Sequence, residues 1–265
     1  GDIQYLANAS SASTTLTMPN QAVTLTATYR TVESIEDGLL LHWSFDGAGD
    51  DSTVEDISGN NRNGNFIGDA VRSDGLFGQA IKLDGNGDYV LHDIAQTRYD
   101  TYSVSFWVKA SSLEQSAGVG LFSNNSNGTD FQVDISQNAT NYYRYTSGNV
   151  YKNIGYFSLD DWAHIVVTCS GTQTRFYFNG KSVSATYSKL GQDFGEFALG
   201  TNRGHGASSC FHGLMDELRF YGRALTPVEI SALSNPPAAA EHAMTVHNGT
   251  GSGDYIAGES VSVIA

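Results

Sequence analysis

The chain has 265 residues and a formal net charge of −14, from 14 Lys plus Arg against 28 Asp plus Glu. So acidic a chain lacks the basic surface that binding to nucleic acid requires, and we expect no nucleic-acid partner. Its aromatic content of 11% excludes a disordered chain. No apolar run reaches the roughly 18 residues of a membrane span, so we expect no membrane insertion. The start at Gly1 resembles neither a signal peptide nor an initiating Met, and predicts a piece of a longer protein.

Residues 1–32 are rich in Ser, Thr and Ala and contain two stretches in which apolar and polar residues alternate, 14–18 and 23–29. Pro19 and the residues after it separate the two stretches. This pattern predicts a hairpin or two short strands. Residues 33–37 are polar and predict a linker.

Residues 38–235 consist of short apolar or alternating runs separated by Gly, Asn, Asp and Ser. Many short strands with turn signals between them predict an all-β fold, an antiparallel β-sandwich of the jelly-roll type. The predicted strands include 39–45, 79–83, 89–91, 102–109, 120–122, 131–135, 165–169, 174–178 and 214–221.

One segment of this domain predicts a helix. Thr226 is suited to cap the first amides, Pro227 fits the first helical position, and residues 228–233 continue the helix until the Pro-rich residues 235–237. Residues 236–243 then predict a second linker.

Residues 244–265 predict the start of a further β-rich unit. Two runs, 244–246 and 260–264, read as strands around a Gly-rich turn at 248–253. The unit is expected to be incomplete.

The two cysteines, Cys169 and Cys210, lack the neighbouring Cys or His residues of a zinc site. Both flank short strand-like runs. A disulfide between them and a pair of buried thiols are both open alternatives, because the sequence does not give the Cα separation that a bridge requires.

The central domain resembles bacterial laminin-G-like domains, which have the concanavalin A-like jelly-roll fold. The resemblance spans nearly all of residues 38–233 and implies an extracellular or cell-surface location. Because this fold hosts lectins, adhesion modules, enzymes and spacers, it implies no single function. The motifs that carry it are 41–46, 56–64, 83–90, 103–109, 162–167, 175–180 and 213–225.

The flanks resemble the short β-rich repeats of bacterial surface proteins, with the end of one repeat in 1–32 and the start of the next in 244–265. The resemblance implies neighbouring domains of the same chain as partners. Since a partial repeat has little core of its own, one hypothesis is that the two flanks pair with each other.

Hard oxygen ligands at strand ends and in a Gly/Asn loop predict a structural Ca²⁺. The resemblance points to Asp46 and Asp216 in particular, while the alternative is that these residues only form turns. The string 84–88 begins like an EF-hand but lacks the later residues, and predicts a hairpin turn. The six candidate ligands are Asp46, Asp56, Asn60, Asn63, Asp216 and Glu217.

No hydrolase, zinc-protease or phosphate-loop motif occurs in the sequence. The three-carboxylate strand motif of glucanases on this kind of fold is also missing. Asp130 and Asp134 share a strand face but would lie ~13 Å apart, too far for a retaining pair. Because the segment is better explained as a polar or ligand-facing surface, we expect a chain that is not an enzyme.

Aromatic and hydrogen-bonding side chains concentrate in residues 141–151 and 201–209, as in surfaces that bind sugars. Strand alternation exposes either Tyr143 and Tyr145 or Tyr142 and Arg144. The alternative is that the tyrosines fill the core of the sandwich. The candidate ligand-binding residues are Tyr142, Tyr143, Arg144, Tyr145, Tyr151, Asn202, Arg203 and His205.

The sequence therefore favours a non-catalytic carbohydrate-binding module of a secreted or surface multidomain protein. Its acidic charge favours a polysaccharide or glycan that is neutral or weakly charged. The alternative is a structural spacer or adhesion domain that makes protein contacts without binding sugar. A polysaccharide-degrading enzyme with its catalytic domain elsewhere is compatible with the first hypothesis.

Overall fold

A computed structural model of the chain describes residues 35–47, 52–116, 118–124, 131–136, 142–188, 191–235, 242–244 and 253–255. The described residues between Ile35 and Asn235 belong to one compact unit. The predicted hairpin in 1–32, most of the two predicted linkers and the predicted strand 260–264 lie outside the described residues. Residues 35–37 of the first linker form a turn, whereas His242 and Ala243, predicted to lie in the second linker, belong to a strand instead. Among the described residues, no helix has the length and apolar character needed to cross a membrane.

The compact unit is built from strands. In chain order they are β1 (Leu39–Trp43), β2 (Thr53–Val54), β3 (Gly64–Ile67), β4 (Val71–Asp74), β5 (Gln79–Asp84), β6 (Tyr89–Tyr99), β7 (Thr101–Ala110), β8 (Gly120–Asn124), β9 (Phe131–Ser136), β10 (Tyr142–Ser147), β11 (Val150–Tyr156), β12 (Trp162–Ser170), β13 (Thr174–Phe178), β14 (Lys181–Tyr187), β15 (Gln192–Leu199) and β16 (His212–Tyr221).

These strands form two antiparallel eight-stranded sheets. The first sheet has the order β14-β13-β12-β7-β16-β5-β4, with β1 also paired to β16. The second has the order β11-β10-β9-β8-β15-β6-β3-β2. Strands distant in sequence are neighbours in both sheets. The predicted antiparallel jelly-roll sandwich is confirmed.

Side-chain alternation along the strands creates the core between the two sheets. On β7, Val104 and Phe106 belong to the core, whereas Ser103 and Ser105 lie on the opposite face of the strand. Aromatic rings dominate the centre of the core, where Phe122 of the second sheet packs against its neighbours. Burial of these rings is the main source of the domain's stability.

The predicted helix is confirmed as α1 (Pro227–Ser234). Thr226 and Glu229 form a capping box, in which the Glu229 amide donates to the Thr226 hydroxyl and the Glu229 carboxylate accepts from the Thr226 amide. Ile230 and Leu233 pack against Val166 and other apolar residues on the outer face of the first sheet. The helix thus covers part of this face.

The structure places Cys169 and Cys210 apart, as two buried cysteines that form no disulfide. Cys169 pairs with Tyr102 near the start of β7, whereas Cys210 precedes Gly213, which pairs with Ala110 at the end of β7. Eight residues of β-strand span about 26 Å, far more than a bridge allows. The disulfide alternative is therefore wrong for this fold.

Two short strands belong to a separate unit. β17 (His242–Met244) pairs antiparallel with β18 (Gly253–Tyr255). Gly253, predicted to lie in a turn, begins a strand instead.

Candidate functional site

A groove of about 440 Å³ lies on the outer face of the second sheet, the face turned away from the core. We call it the outer groove; it crosses the edge strand β11 and its neighbours β10 and β9. Its volume lies within the range of pockets that hold small ligands. The residues that line it are Ser136, Tyr142, Arg144, Tyr151 and Asn153.

An ion pair lies at the floor of the outer groove, between Arg144 and the buried Asp134. Asp134 is fully buried, and its Oδ1 accepts a hydrogen bond of 2.7 Å from Arg144 Nε. Its Oδ2 accepts a second bond of 2.7 Å from Gln132. Because Gln132 holds the Asp134 carboxylate in place, the ion pair holds the planar guanidinium of Arg144 in one orientation and compensates its charge.

The guanidinium supports an exposed aromatic ring. The Arg144 Cζ lies 4.8 Å from the centre of the Tyr151 ring, and Tyr151 is 55% exposed. A cation against one ring face is a favourable contact that fixes the ring. The Tyr151 ring therefore stands at the surface as a supported platform.

A second aromatic pair lies at the other end of β10 and β11. The rings of Tyr142 and Tyr156 have centroids 4.1 Å apart, and their hydroxyls are hydrogen-bonded to each other. That hydrogen bond raises the pKa of Tyr142. Tyr156 is 58% exposed and is the outer member of the pair.

The structure resolves the alternative that strand alternation left open. Tyr142 and Arg144 face outward, whereas Tyr143 and Tyr145 are fully buried in the core. The prediction that Tyr143 and Tyr145 contact a ligand is therefore wrong, because neither ring has an accessible surface.

The structure describes the predicted loop residues Asn202, Arg203 and His205, and none of the three lines the outer groove. The Asn202 amide donates to the Gly118 carbonyl and accepts from Gly204, which shapes the loop. His205 pairs with Glu196 at 2.9 Å, and its ring lies 5.1 Å from Tyr89. Arg203 is half-buried. The side chains of Asn202 and His205 hold this loop on the sheet.

Three of the six predicted calcium ligands organise the loop after β2 instead. Asp56 accepts hydrogen bonds from the amides of His42, Ser58 and Arg62 at 2.8–3.0 Å. Asn63 accepts from the Asp56 amide, and Asn60 donates to a carbonyl of β1. Because the oxygens of Asp56 are occupied by backbone amides, this set behaves as turn formers, the alternative considered for it.

The carboxylate of Glu217 is also bonded to neighbouring side chains of the protein. It bonds the His42 ring at 3.0 Å and pairs closely with Arg219. Burial alone would raise its pKa, but the hydrogen bond from His42 and the charge of Arg219 outweigh that effect and lower the pKa.

Asp46 and Asp216, the two residues singled out by the resemblance, meet at the turn between β4 and β5. Asp46 Oδ1 accepts from the Gln79 amide at 2.7 Å, and Asp216 Oδ2 accepts from the Leu76 and Phe77 amides at 3.0 and 3.1 Å. The other Asp216 oxygen, Oδ1, is buried and has no partner. Burial and the nearby charges of Glu217 and Asp46 raise the pKa of Asp216 to about 7, despite the amide bonds.

Asp69, Asp84 and Asp88 form a group of three acidic side chains in the described residues, with one oxygen of each within 4.8 Å of the others. Asp88 is buried, and its two oxygens accept from the Asp69 and Asp84 amides. Burial raises the pKa of Asp88. These contacts fold the turn between β5 and β6, so the predicted turn at 84–88 is present. The predicted hairpin is wrong, because β5 belongs to the first sheet and β6 to the second, and the turn carries the chain from one sheet to the other.

Sequence reasoning missed two residues that line the outer groove, Ser136 and Asn153, and the exposed ring of Tyr156 beside Tyr142. Asp134 was assigned to a polar surface, whereas it is fully buried under Arg144. The alternation of Gln132 and Asp134 indicated their shared face, but their burial depends on cross-strand neighbours. Asp130, the other carboxylate considered, lies outside the described residues.

A sandwich of two antiparallel sheets in this strand order is the architecture of jelly-roll domains. The sequence profile described as the concanavalin A-like lectin/glucanases superfamily matches residues 84–231. The chain therefore belongs to that superfamily. No curated protein matches the chain by sequence.

Solved structures of similar fold include binding domains. One is domain 4 of AbnA, a GH43 extracellular arabinanase from Geobacillus stearothermophilus, in complex with arabinotriose; it is 24% identical, with a TM-score of 0.58, over 74% of this chain and 98% of that chain. The binding domain of Paraclostridial Mosquitocidal Protein 1 is 18% identical, with a TM-score of 0.57, over 76% and 53%. The binding domain of Botulinum Neurotoxin DC in complex with SialylT is 16% identical, with a TM-score of 0.58, over 76% and 52%.

The present chain thus spans about half the length of these two toxin domains. At such identities, the likeness establishes the fold alone.

Proposed function

We propose that this chain is a non-catalytic carbohydrate-binding module of a secreted or cell-surface protein, and that it binds neutral or weakly charged glycans in the outer groove. The observation that carries the proposal is the exposed Tyr151 ring, supported by Arg144 and bordered by Asn153 and Ser136. An aromatic plane packs against the apolar face of a sugar, while amide and hydroxyl groups bond its hydroxyls.

The charge of the outer groove supports a neutral ligand. Asp134 compensates the charge of Arg144, and the chain as a whole is strongly acidic. A net charge of −14 also argues against nucleic acid as a partner. The arabinotriose bound to the arabinanase domain of similar fold makes a linear neutral oligosaccharide a reasonable first ligand to test.

Two features support binding rather than catalysis. None of the described residues that line the outer groove is Asp or Glu, whereas glycoside hydrolysis commonly uses two carboxyl groups flanking the bond. Asp134 lies behind Arg144 and is held in an ion pair. We therefore propose that the domain holds its glycan without cleaving it.

Screening on an array of plant and bacterial glycans tests the proposal. We expect binding to at least one neutral glycan, and a loss of about tenfold in affinity, roughly 1.4 kcal/mol, in Tyr151→Ala. Val228→Ala, at an exposed position of α1 on the other sheet, is the control and should bind as the wild type does. A failure of every glycan to bind would favour the spacer or adhesion alternative.

We also propose a structural Ca²⁺ at the turn between β4 and β5, held by Asp46 and Asp216. The unpartnered buried Asp216 Oδ1 and the proximity of a second carboxylate fit a hard divalent cation. We leave the other four predicted ligands out of the proposed site, because no buried side-chain oxygen of Asp56, Asn60, Asn63 or Glu217 lacks a partner. When bound, the ion would offset the repulsion between the two carboxylates.

Thermal unfolding with and without calcium tests this site. Millimolar Ca²⁺ should raise the melting temperature, by an amount equivalent to about 3 kcal/mol at a hundredfold excess over the dissociation constant. Asp216→Asn should abolish the response. Asp56→Asn should lower stability but keep the response, and an unchanged response in Asp216→Asn would contradict the assignment.

A further inference from the structure

Strand β11 presents two tyrosines on the same face of the second sheet. Tyr151 and Tyr156 are five positions apart in sequence. In a regular strand, residues separated by an odd number of positions point to opposite faces. An uninterrupted β11 would therefore expose one of these rings and bury the other.

A β-bulge removes this conflict. Arg144 of β10 pairs with Asn153, but the preceding Tyr143 pairs with Gly155, so Ile154 is an extra residue in β11. Ile154 is 4% exposed and packs in the core. A bulge of this kind re-aims the side chains that follow it, and such bulges are frequent beside functional sites.

Each outward ring has its own support on β10. Tyr151 lies against the guanidinium of Arg144, and Tyr156 lies against the ring of Tyr142. Both outer rings remain more than half exposed. The two platforms are thus constructed alike: one inner side chain on β10 supports one outer tyrosine on β11.

The spacing of the platforms follows from the strand register. Tyr156 pairs with Tyr142, and Tyr151 pairs with Thr146. These two positions on β10 are separated by four residue steps, or about 13 Å at the rise of a β-strand. The hydrogen-bonding side chain of Asn153 lies between the two platforms.

We propose that the outer groove, together with the neighbouring Tyr156 ring, binds an extended internal segment of a linear glycan, which lies along β11 and stacks on Tyr151 and Tyr156 at its two ends. This inference rests on the proposed carbohydrate-binding function. It names the ligand class as a chain of several sugar units rather than a single terminal sugar, because one ring does not reach both platforms.

Titration calorimetry with oligosaccharides of increasing length tests the inference. The probes are linear arabino-, xylo- and β-gluco-oligosaccharides, each from disaccharide to hexasaccharide. Affinity should rise with length until both platforms are occupied. For the longest member that binds, Tyr151→Ala and Tyr156→Ala should each weaken binding by about two- to tenfold, the scale of one aromatic contact. The matched variants Tyr151→Phe and Tyr156→Phe keep the rings and should bind nearly as the wild type does.

The outcomes separate this inference from the proposal on which it rests. If Tyr151→Ala weakens binding and Tyr156→Ala leaves it unchanged, or if affinity is the same for all lengths, the extended ligand is wrong while sugar binding stands. If no oligosaccharide binds the wild type, both are overturned. Circular dichroism of each variant confirms that any loss of affinity occurs in a folded protein.

Discussion

Replacing Tyr143 by alanine should lower the free energy of unfolding by roughly 3–5 kcal/mol, the cost of deleting a large ring from a packed core. The Tyr143 side chain is fully buried, and its ring lies 5.1 Å from that of Phe157 and 6.3 Å from that of Phe178. Chemical denaturation measures the loss directly.

The matched control for this prediction is Tyr143→Phe. The Tyr143 hydroxyl is buried without a hydrogen-bond partner, so its removal should change stability by less than about 1 kcal/mol. Tyr151→Ala provides the contrast, because it should lose sugar affinity with little change in stability. A Tyr143→Ala variant as stable as the wild type would contradict the burial of this ring.

Below neutral pH, His164 should destabilise the fold. His164 is 1% exposed, its imidazole is hydrogen-bonded to the Ser105 hydroxyl at 2.8 Å, and its ring packs at a tilt against Trp107, with ring centroids 4.9 Å apart. Burial, reinforced by the positive charge of Arg219, lowers the pKa of His164 from 6.5 to about 3. Between these values the unfolded chain binds a proton that the folded protein does not, so stability falls as the pH falls from 6.5 towards 3. The full effect on the free energy of unfolding is on the order of 5 kcal/mol.

The titration of Asp216 changes stability with pH in the opposite direction. The effect of His164 is therefore measured as the difference in unfolding free energy between the wild type and a His164 variant. The pKa of Asp216 is raised to about 7, which stabilises the fold as the pH falls from 7 towards 4. His164→Gln keeps a hydrogen-bonding side chain but does not titrate. This variant should be less stable than the wild type at pH 7, and the difference in unfolding free energy should become smaller towards pH 4. An equal difference at both pH values would contradict a neutral buried His164.

The strands that the sequence predicted well are those with strong apolar runs. β7, β12, β13 and β16 contain the predicted segments, because Val, Ile and aromatic residues in alternation favour half-buried strands. β15 was missed, since Gly195 and Glu196 interrupt its pattern at a register shift. Bulges of this kind depend on the partner strand and leave little local signal.

The same limit applies to the candidate site. Period-two alternation groups Tyr142 with Arg144 and Tyr143 with Tyr145, but it does not say which group faces the core. The outward position of Tyr156 depends on the bulge at Ile154, which only the pairing with β10 reveals.

The predicted calcium ligands could not be separated by residue type alone. Asp56 and Asp216 are both buried carboxylates, yet the oxygens of Asp56 are occupied by backbone amides while Asp216 keeps one unpartnered oxygen. This difference arises from the fold around each residue, since a free oxygen depends on which amides the neighbouring turn brings close.

An NMR titration of the nitrogen-15-labelled protein with arabinotriose, or with the best ligand from the array, tests the central claim most directly. We expect amide shifts concentrated in β9, β10 and β11 around the outer groove, with the signals of the ligand unchanged after prolonged incubation. Shifts centred on another surface, such as the loop that contains Asn202, or the appearance of shorter sugars, would contradict a non-catalytic glycan site in this groove.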